Sequence, residues 1–164
     1  MSEKLLMVDG KNFELFQSSK FFNHMVKQVS KCFPDEGLTR REMKIVERGM
    51  IKHLGWSKFI LFLDKKVVAS LTLQPVERGY EVHSICISDK MSEEILRRRI
   101  LGHLYGYLQD RGFTGEVIIK CEKSNNSACK CYMEMSNIGW PRGDRMIFIK
   151  KFTPRIPRVR SVYL

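Results

Sequence analysis

"ICISDKMSEEILRRRILGHLYGYLQDRG", Ile85 to Gly112, sets an apolar strand end, a polar turn and a long helix in immediate succession. The helix runs from about Ser92 to Arg111, and Gly112 ends it. Strand–turn–helix units of this kind cradle phosphate on the backbone N–H groups at the helix start, where glycines let those groups come close. Here residues 92–99 read Ser-Glu-Glu-Ile-Leu-Arg-Arg-Arg, and Gly102 lies well inside the helix. Glu93 and Glu94 favour a helix N-terminus but repel a phosphate placed there. Arg97, Arg98 and Arg99 supply positive charge in exchange. Successive helical positions point about 100° apart, so one or two of them at most face a single ligand.

Upstream of this unit lie three strand-like runs: "KFILFLD", "KVVASLTLQP" and "YEVHSICIS". The first two are joined by a tight polar turn at Asp64-Lys65-Lys66, which predicts a hairpin. Before them stand two helical stretches. Phe21, Phe22, Met25, Val26 and Val29 recur at spacings of three and four between Ser19 and Cys32. After "FPDEG", Thr39 and Glu42 form a capping box that opens a helix with Met43, Val46, Met50 and Leu54 on its apolar face, stopped by Gly55. Residues 4–9 read as a first strand. Downstream come the strand "GEVIIKCE", the short helix "NNSACKCYMEM" and the strand "RMIFIKKF". The order is β-α-α-β-β-β-α-β-α-β. It predicts an α/β fold of three layers, a mixed central sheet flanked by helices. One domain spans 1–152, followed by a basic, proline-containing tail, 153–164.

The chain has 164 residues and a net charge of +11, from 29 Lys+Arg against 18 Asp+Glu. That balance favours an anionic partner, whether nucleic acid, an acidic protein, an anionic membrane surface or a phosphate-rich cofactor. No apolar run approaches the ~20 residues of a membrane span, and the first residues lack the apolar core of a signal peptide. The five cysteines, an odd number without a secretory signal, are expected as reduced thiols in a cytoplasmic protein. Cys121, Cys129 and Cys131 do not have zinc spacing, so no metal site is expected.

"NNSACKCYMEM", following the strand "EVIIKCEKS", carries Asn125, Ala128 and Tyr132 in an N-x-x-A-x-x-x-Y pattern. With the element order, this resembles the GNAT superfamily of N-acyltransferases over about residues 4 to 152. The resemblance implies transfer of an acetyl or other acyl group from acyl-CoA to an amine. It implies that Tyr132 protonates the leaving thiolate, and that Asn125 belongs to the cofactor site. The backbone of Ile85, Cys86, Ile87 and Ser88 would pair with the pantetheine arm as an added strand, and Arg97, Arg98 and Arg99 would assist the phosphates. Glu81 and His83 share one face of their strand, and either would take the amine's proton, histidine with the more convenient pKa. Each residue also has a plain structural alternative: Tyr132 packing its helix onto the sheet, His83 satisfied within it.

Two features depart from the family. Its R/Q-x-x-G-x-G/A motif falls at Ser92–Arg97 counted forward from Ile87, or one residue later counted back from Gly112, and neither window holds a glycine. Gly139-Trp140 stands about three residues later than the family's Gly-Phe, so "GWPRGDR" reads as a lengthened loop on the acceptor side.

The expected activity is therefore attack of an amine on a thioester, with the oxyanion held by a backbone amide. An amine on something acidic, such as a tRNA-linked amine or an acidic protein, suits the charge. A donor on an acyl carrier protein would explain both the charge and the missing glycines. The other reading is an inactive GNAT-like module that binds nucleic acid or an acidic partner through Arg97–Arg99 and the cations Lys150, Lys151, Arg155, Arg158 and Arg160. Signatures of nucleotide-dependent oxidoreductases, serine hydrolases and zincins are missing.

Overall fold

Ser57–Leu63 (β2) is buried from Lys58 through Phe62. Alternate side chains of a strand enter opposite layers. Phe59 and Leu61 join one core cluster, while Ile60 and Phe62 join another, so β2 is an interior strand covered on both faces. The computed structural model describes residues 2–33, 37–88 and 93–154. Around β2 are β1 (Glu3–Val8), β3 (Lys66–Val76), β4 (Gly79–Ile87), β5 (Gly115–Glu122), β6 (Ile138–Arg142) and β7 (Arg145–Phe152). They form a single sheet in the order β1-β2-β3-β4-β5-β7-β6. All neighbours are antiparallel except β4 and β5.

One face carries α1 (Phe13–Gln17), α2 (Lys20–Cys32) and α3 (Arg40–Lys52); the other carries α4 (Glu93–Asp110) and α5 (Asn126–Glu134). The result is the mixed, three-layer α/β architecture that the element order predicts. The Thr39 capping box is present. Its hydroxyl accepts from the Glu42 N–H at 3.1 Å, and the Glu42 carboxylate accepts from the Thr39 N–H at 3.1 Å.

Three details correct the sequence reading. Phe13–Gln17 is an additional short helix, and Ile138–Arg142 is a strand rather than a loop. The proline in β6 is tolerated because β6 is an edge strand. Gly139 is required there: a Cβ would stand 2.6 Å from the Phe148 ring. Second, α3 buries Met43, Glu47 and Ile51, while Val46 and Leu54 are exposed. The expected stripe included those two because a search for apolar periodicity skips a buried carboxylate. Glu47 is inside because the Lys58 ammonium, itself fully buried in β2, donates to its Oε1 at 3.0 Å and to Thr72 Oγ1 at 3.1 Å.

Third, the five cysteines are not all thiols. Cys32, in the last turn of α2, is joined by a disulfide to Cys86 of β4, their Cα atoms 5.7 Å apart. Cys121, Cys129 and Cys131 are free. Among the described residues, no helix is long and apolar enough to cross a membrane. Pro34, Asp35 and Glu36 of "FPDEG", Ser92 of the phosphate-loop window, and the tail cations Arg155, Arg158 and Arg160 lie outside the described residues.

Candidate active site

The parallel β4–β5 ladder holds four registered pairs, Gly79 with Glu116 through Val82 with Ile119. Past Val82 the strands part: β4 continues beside β3 to Ile87, and β5 beside β7 to Glu122. The cause is a β-bulge. From Thr72 to Ser70 β3 moves by two residues while β4 moves by three, from His83 to Cys86. Ser84 takes up the extra residue in a left-handed conformation, φ 52°. Such a bulge bends its strand and raises the local twist. The strain it stores is characteristic of sites where an edge must be re-aimed. Backbone of β4 from His83 to Ile87 therefore borders an opening inside the sheet, where an extended ligand can be added as a strand.

Glu81 and His83 stand beside this divergence, on the α1–α3 face. Their register partners Gln74 and Thr72 point the same way, Thr72 toward the buried Lys58. His83 Nε2 is 2.7 Å from Glu81 Oε2 and 2.6 Å from Gln74 Oε1. Both neighbours are acceptors, so Nε2 carries the hydrogen and donates. Nδ1, with no partner among the described residues, is then the basic nitrogen of the neutral ring. Lys120 of β5 holds the other Glu81 oxygen, Oε1, at 2.7 Å. Trp56 stacks on the imidazole, centroids 5.4 Å apart and planes at 13°. Trp56 is delivered by the end of α3. Gly55 adopts φ 71°, which a Cβ would disfavour, and the Trp56 N–H reaches back to the Met50 carbonyl at 2.9 Å. The imidazole is thus fixed in plane and in tautomer, with a carboxylate behind it to stabilise a positive charge.

Tyr132 lies on the opposite face, in α5, tilted against Phe148 of β7 and 6% exposed. Burial pushes its phenol up to about 12, against the pull of the Arg97 cation, whose guanidinium carbon lies 5.7 Å from the centre of the Tyr132 ring. Such a phenol keeps its proton at neutral pH and can only donate it. Asn125 caps α5, its side-chain oxygen accepting from the Ala128 N–H at 3.3 Å.

The three arginines have three separate environments. Arg97 is 8% exposed, has a Glu93 oxygen at 3.7 Å from Nη2, and leaves Nε and Nη1 without hydrogen-bond partners. Arg98 pairs with Glu134 of α5 and with Glu94, and Arg99 with Glu3 of β1. One arginine faces inward while two tie α4 to its neighbours.

Beyond the residues expected from sequence, the site uses Trp56, Gln74, Lys120 and Ser84. None carries a spacing signal. Each arrives by sheet register or by a helix end, and no motif encodes either. Among the anticipated backbone contacts, Ile85, Ile87 and Ser88 line a cleft at the end of β4, and the Cys86 side chain is committed to the disulfide.

No family model matches the chain, and none of the curated proteins does. Solved structures do match. An aminoglycoside 6'-acetyltransferase type Ii superposes with a TM-score of 0.67 at 13% identity, covering 93% of this chain and 99% of that one. A probable acetyltransferase from Staphylococcus epidermidis gives 0.65 at 12%, covering 93% and 100%. The PaiA N-acetyltransferase of Thermoplasma acidophilum, solved in complex with coenzyme A, gives 0.64 at 11%, again covering 93% and 100%. At such identities the likeness is one of fold, and it extends over nearly the whole of both chains. The strand–helix unit of β4 and α4 and the short helix that carries Tyr132 are elements the sequence order predicts, and this protein has the fold that these acetyltransferases share.

Proposed function

We infer that the protein is an N-acyltransferase that moves an acyl group from a pantetheine thioester, acetyl-CoA or another acyl-CoA in the simplest case, to an amine. The observation that carries this reading is the Glu81–His83 pair at the point where β4 leaves β5; Tyr132, buried against Phe148 of β7 on the other face of the sheet, supports it. The pantetheine arm extends along the β4 edge toward Ile87. The neutral amine, approaching from the α1–α3 face, attacks the thioester carbonyl. As the C–N bond forms, the ammonium proton passes to His83 Nδ1, and a β4 backbone N–H facing the gap stabilises the oxyanion. The C–S bond then breaks, and the Tyr132 hydroxyl protonates the thiolate. Solvent returns the proton from the imidazolium to the phenolate, leaving amide and free thiol.

The test is thiol release from acetyl-CoA and from S-acetylpantetheine across a panel of primary amines, alongside thermal unfolding with each donor. Amine-dependent release above the protein-free rate supports the reading. It fails if neither donor is consumed and neither shifts the melting temperature at millimolar concentration, since a ligand at a hundred times its Kd stabilises by about 2.7 kcal/mol.

A further inference from the structure

At the end of β4 a cleft of about 580 Å3 opens between α2, the β2–β3 turn and the start of α4. It is lined by Val67 and Val68 of β3 and by Ile85, Ile87 and Ser88 at the end of β4, the edge along which the arm is laid, and three features set its chemistry. Two of its lining side chains are buried donors without acceptors: Arg97, 8% exposed, with Nε and Nη1 unpaired, and Gln28, 9% exposed, with Nε2 unpaired. An unmet buried donor costs free energy. At its mouth stand Lys27, Lys31, Lys65 and Lys66, all exposed and none in an ion pair among the described residues. Among the described lining residues a single carboxylate, Glu93, opposes them, 3.7 Å from Arg97 Nη2.

Arg97 occupies the last position of the window Ser92–Arg97, where the family resemblance calls for a small residue. Nε and Nη1 lie on different edges of the guanidinium, so each gives a phosphate oxygen a single charge-assisted bond, and only when the side chain turns toward the cleft. The guanidinium does not reproduce a row of backbone amides, and Glu93 and Glu94 disfavour a second phosphate beside the first. Building on the acyl-transfer reading, we propose that this cleft takes the single phosphate at the end of a phosphopantetheine arm, and that the lysine rim docks the acidic carrier protein bearing that arm. The adenosine half of CoA is then not read. The lysines come from two elements and frame the cleft mouth, so they meet the carrier's surface only when its arm is inserted.

The experiment measures, by titration calorimetry on the full chain, affinities for pantetheine, 4'-phosphopantetheine and CoA. It also uses an acidic acyl carrier protein in its phosphopantetheinylated and arm-free forms. Phosphopantetheine is expected to bind about 10- to 100-fold tighter than pantetheine, the range for one charge-assisted contact, and within a few-fold of CoA. Arg97→Gln erases that difference. Lys65→Glu/Lys66→Glu, on the exposed turn, weakens the carrier at least about tenfold, leaves phosphopantetheine unchanged and flattens the salt dependence. CoA binding tenfold or more tighter than phosphopantetheine, or a carrier that binds no better than the free arm, overturns the inference while acyl transfer stands. Failure of every pantetheine compound to bind overturns both.

Discussion

Replacing Glu47 by leucine strips the Lys58 ammonium of its counter-charge inside the sheet–helix interface. Lys58 is 0% exposed and Glu47 2%, so neither charge can reach water without moving α3. The ammonium would keep only the Thr72 hydroxyl at 3.1 Å. The cost of breaking a buried pair from one side is about 3–5 kcal/mol, chiefly the desolvation of the remaining ion. Lys58→Met falls in the same range, because the Glu47 carboxylate already has Oε2 unpartnered. The double variant Glu47→Leu/Lys58→Met removes both ions and both penalties. It is expected within about 1 kcal/mol of the parent, or more stable. Equilibrium urea unfolding of the four proteins measures the cycle, with equal m-values as the check that one transition is being compared. For a chain of this size each single variant should also lose roughly 10 °C in Tm. Singles whose costs simply add in the double variant, with coupling below about 1 kcal/mol, would refute the argument that this pair is desolvated. Function is linked to the same pair. Thr72 lies opposite His83 in the sheet, and Trp56 immediately precedes β2, so a single variant that unseats α3 also loosens the imidazole.

The remaining predictions concern the site and the crosslink. His83→Gln should lower kcat by about 100- to 10,000-fold with donor affinity unchanged, as loss of a general base does, and a KM effect without a kcat effect would count against the assigned role. Tyr132→Phe should cause a similar loss of kcat. Tyr132 has a folded pKa of about 12 against an ordinary 10, so its protonated form is favoured by folding. That contribution is full below pH 10 and is lost as pH rises toward 12, by at most about 3 kcal/mol. The parent should therefore lose stability more steeply than Tyr132→Phe over that interval, and parallel curves would contradict the burial of the phenol. Opening the Cys32–Cys86 disulfide, which spans 54 residues, should cost about 4 kcal/mol on the chain-entropy account. Thiol titration of the unreduced, denatured chain should find three thiols, and five would deny the bond.

Element types were legible where the physics is local. Strand alternation, the Thr39 capping box and the glycine stops each act within a few residues, and the order they gave is found with α1 and β6 added to it. The short helix that carries Tyr132 was legible too, because Asn125 caps it and the two stand at a fixed local spacing. What stayed hidden depends on distant pairings. Lys58 and Glu47 violate apolar periodicity because each neutralises the other across two elements. Three consecutive arginines look equivalent in sequence, yet only Arg97 turns inward, because Arg98 and Arg99 meet Glu134 and Glu3. The bulge at Ser84 has no glycine to announce it, and Cys32 finds Cys86 only after α2 has been laid across β4.

The parted strands also have a mechanical meaning. The sheet is two plates, β1–β4 and β5–β7, hinged along four residue pairs at one end and open at the other. Across the open end the plates are coupled through α4 and α5, with the Arg98–Glu134 pair as a tie between these helices. A ligand laid along the β4 edge acts as a splint. It fills the slot, limits the hinge bending that the slot permits, and should slow amide exchange in β5 and β7, which it need not touch.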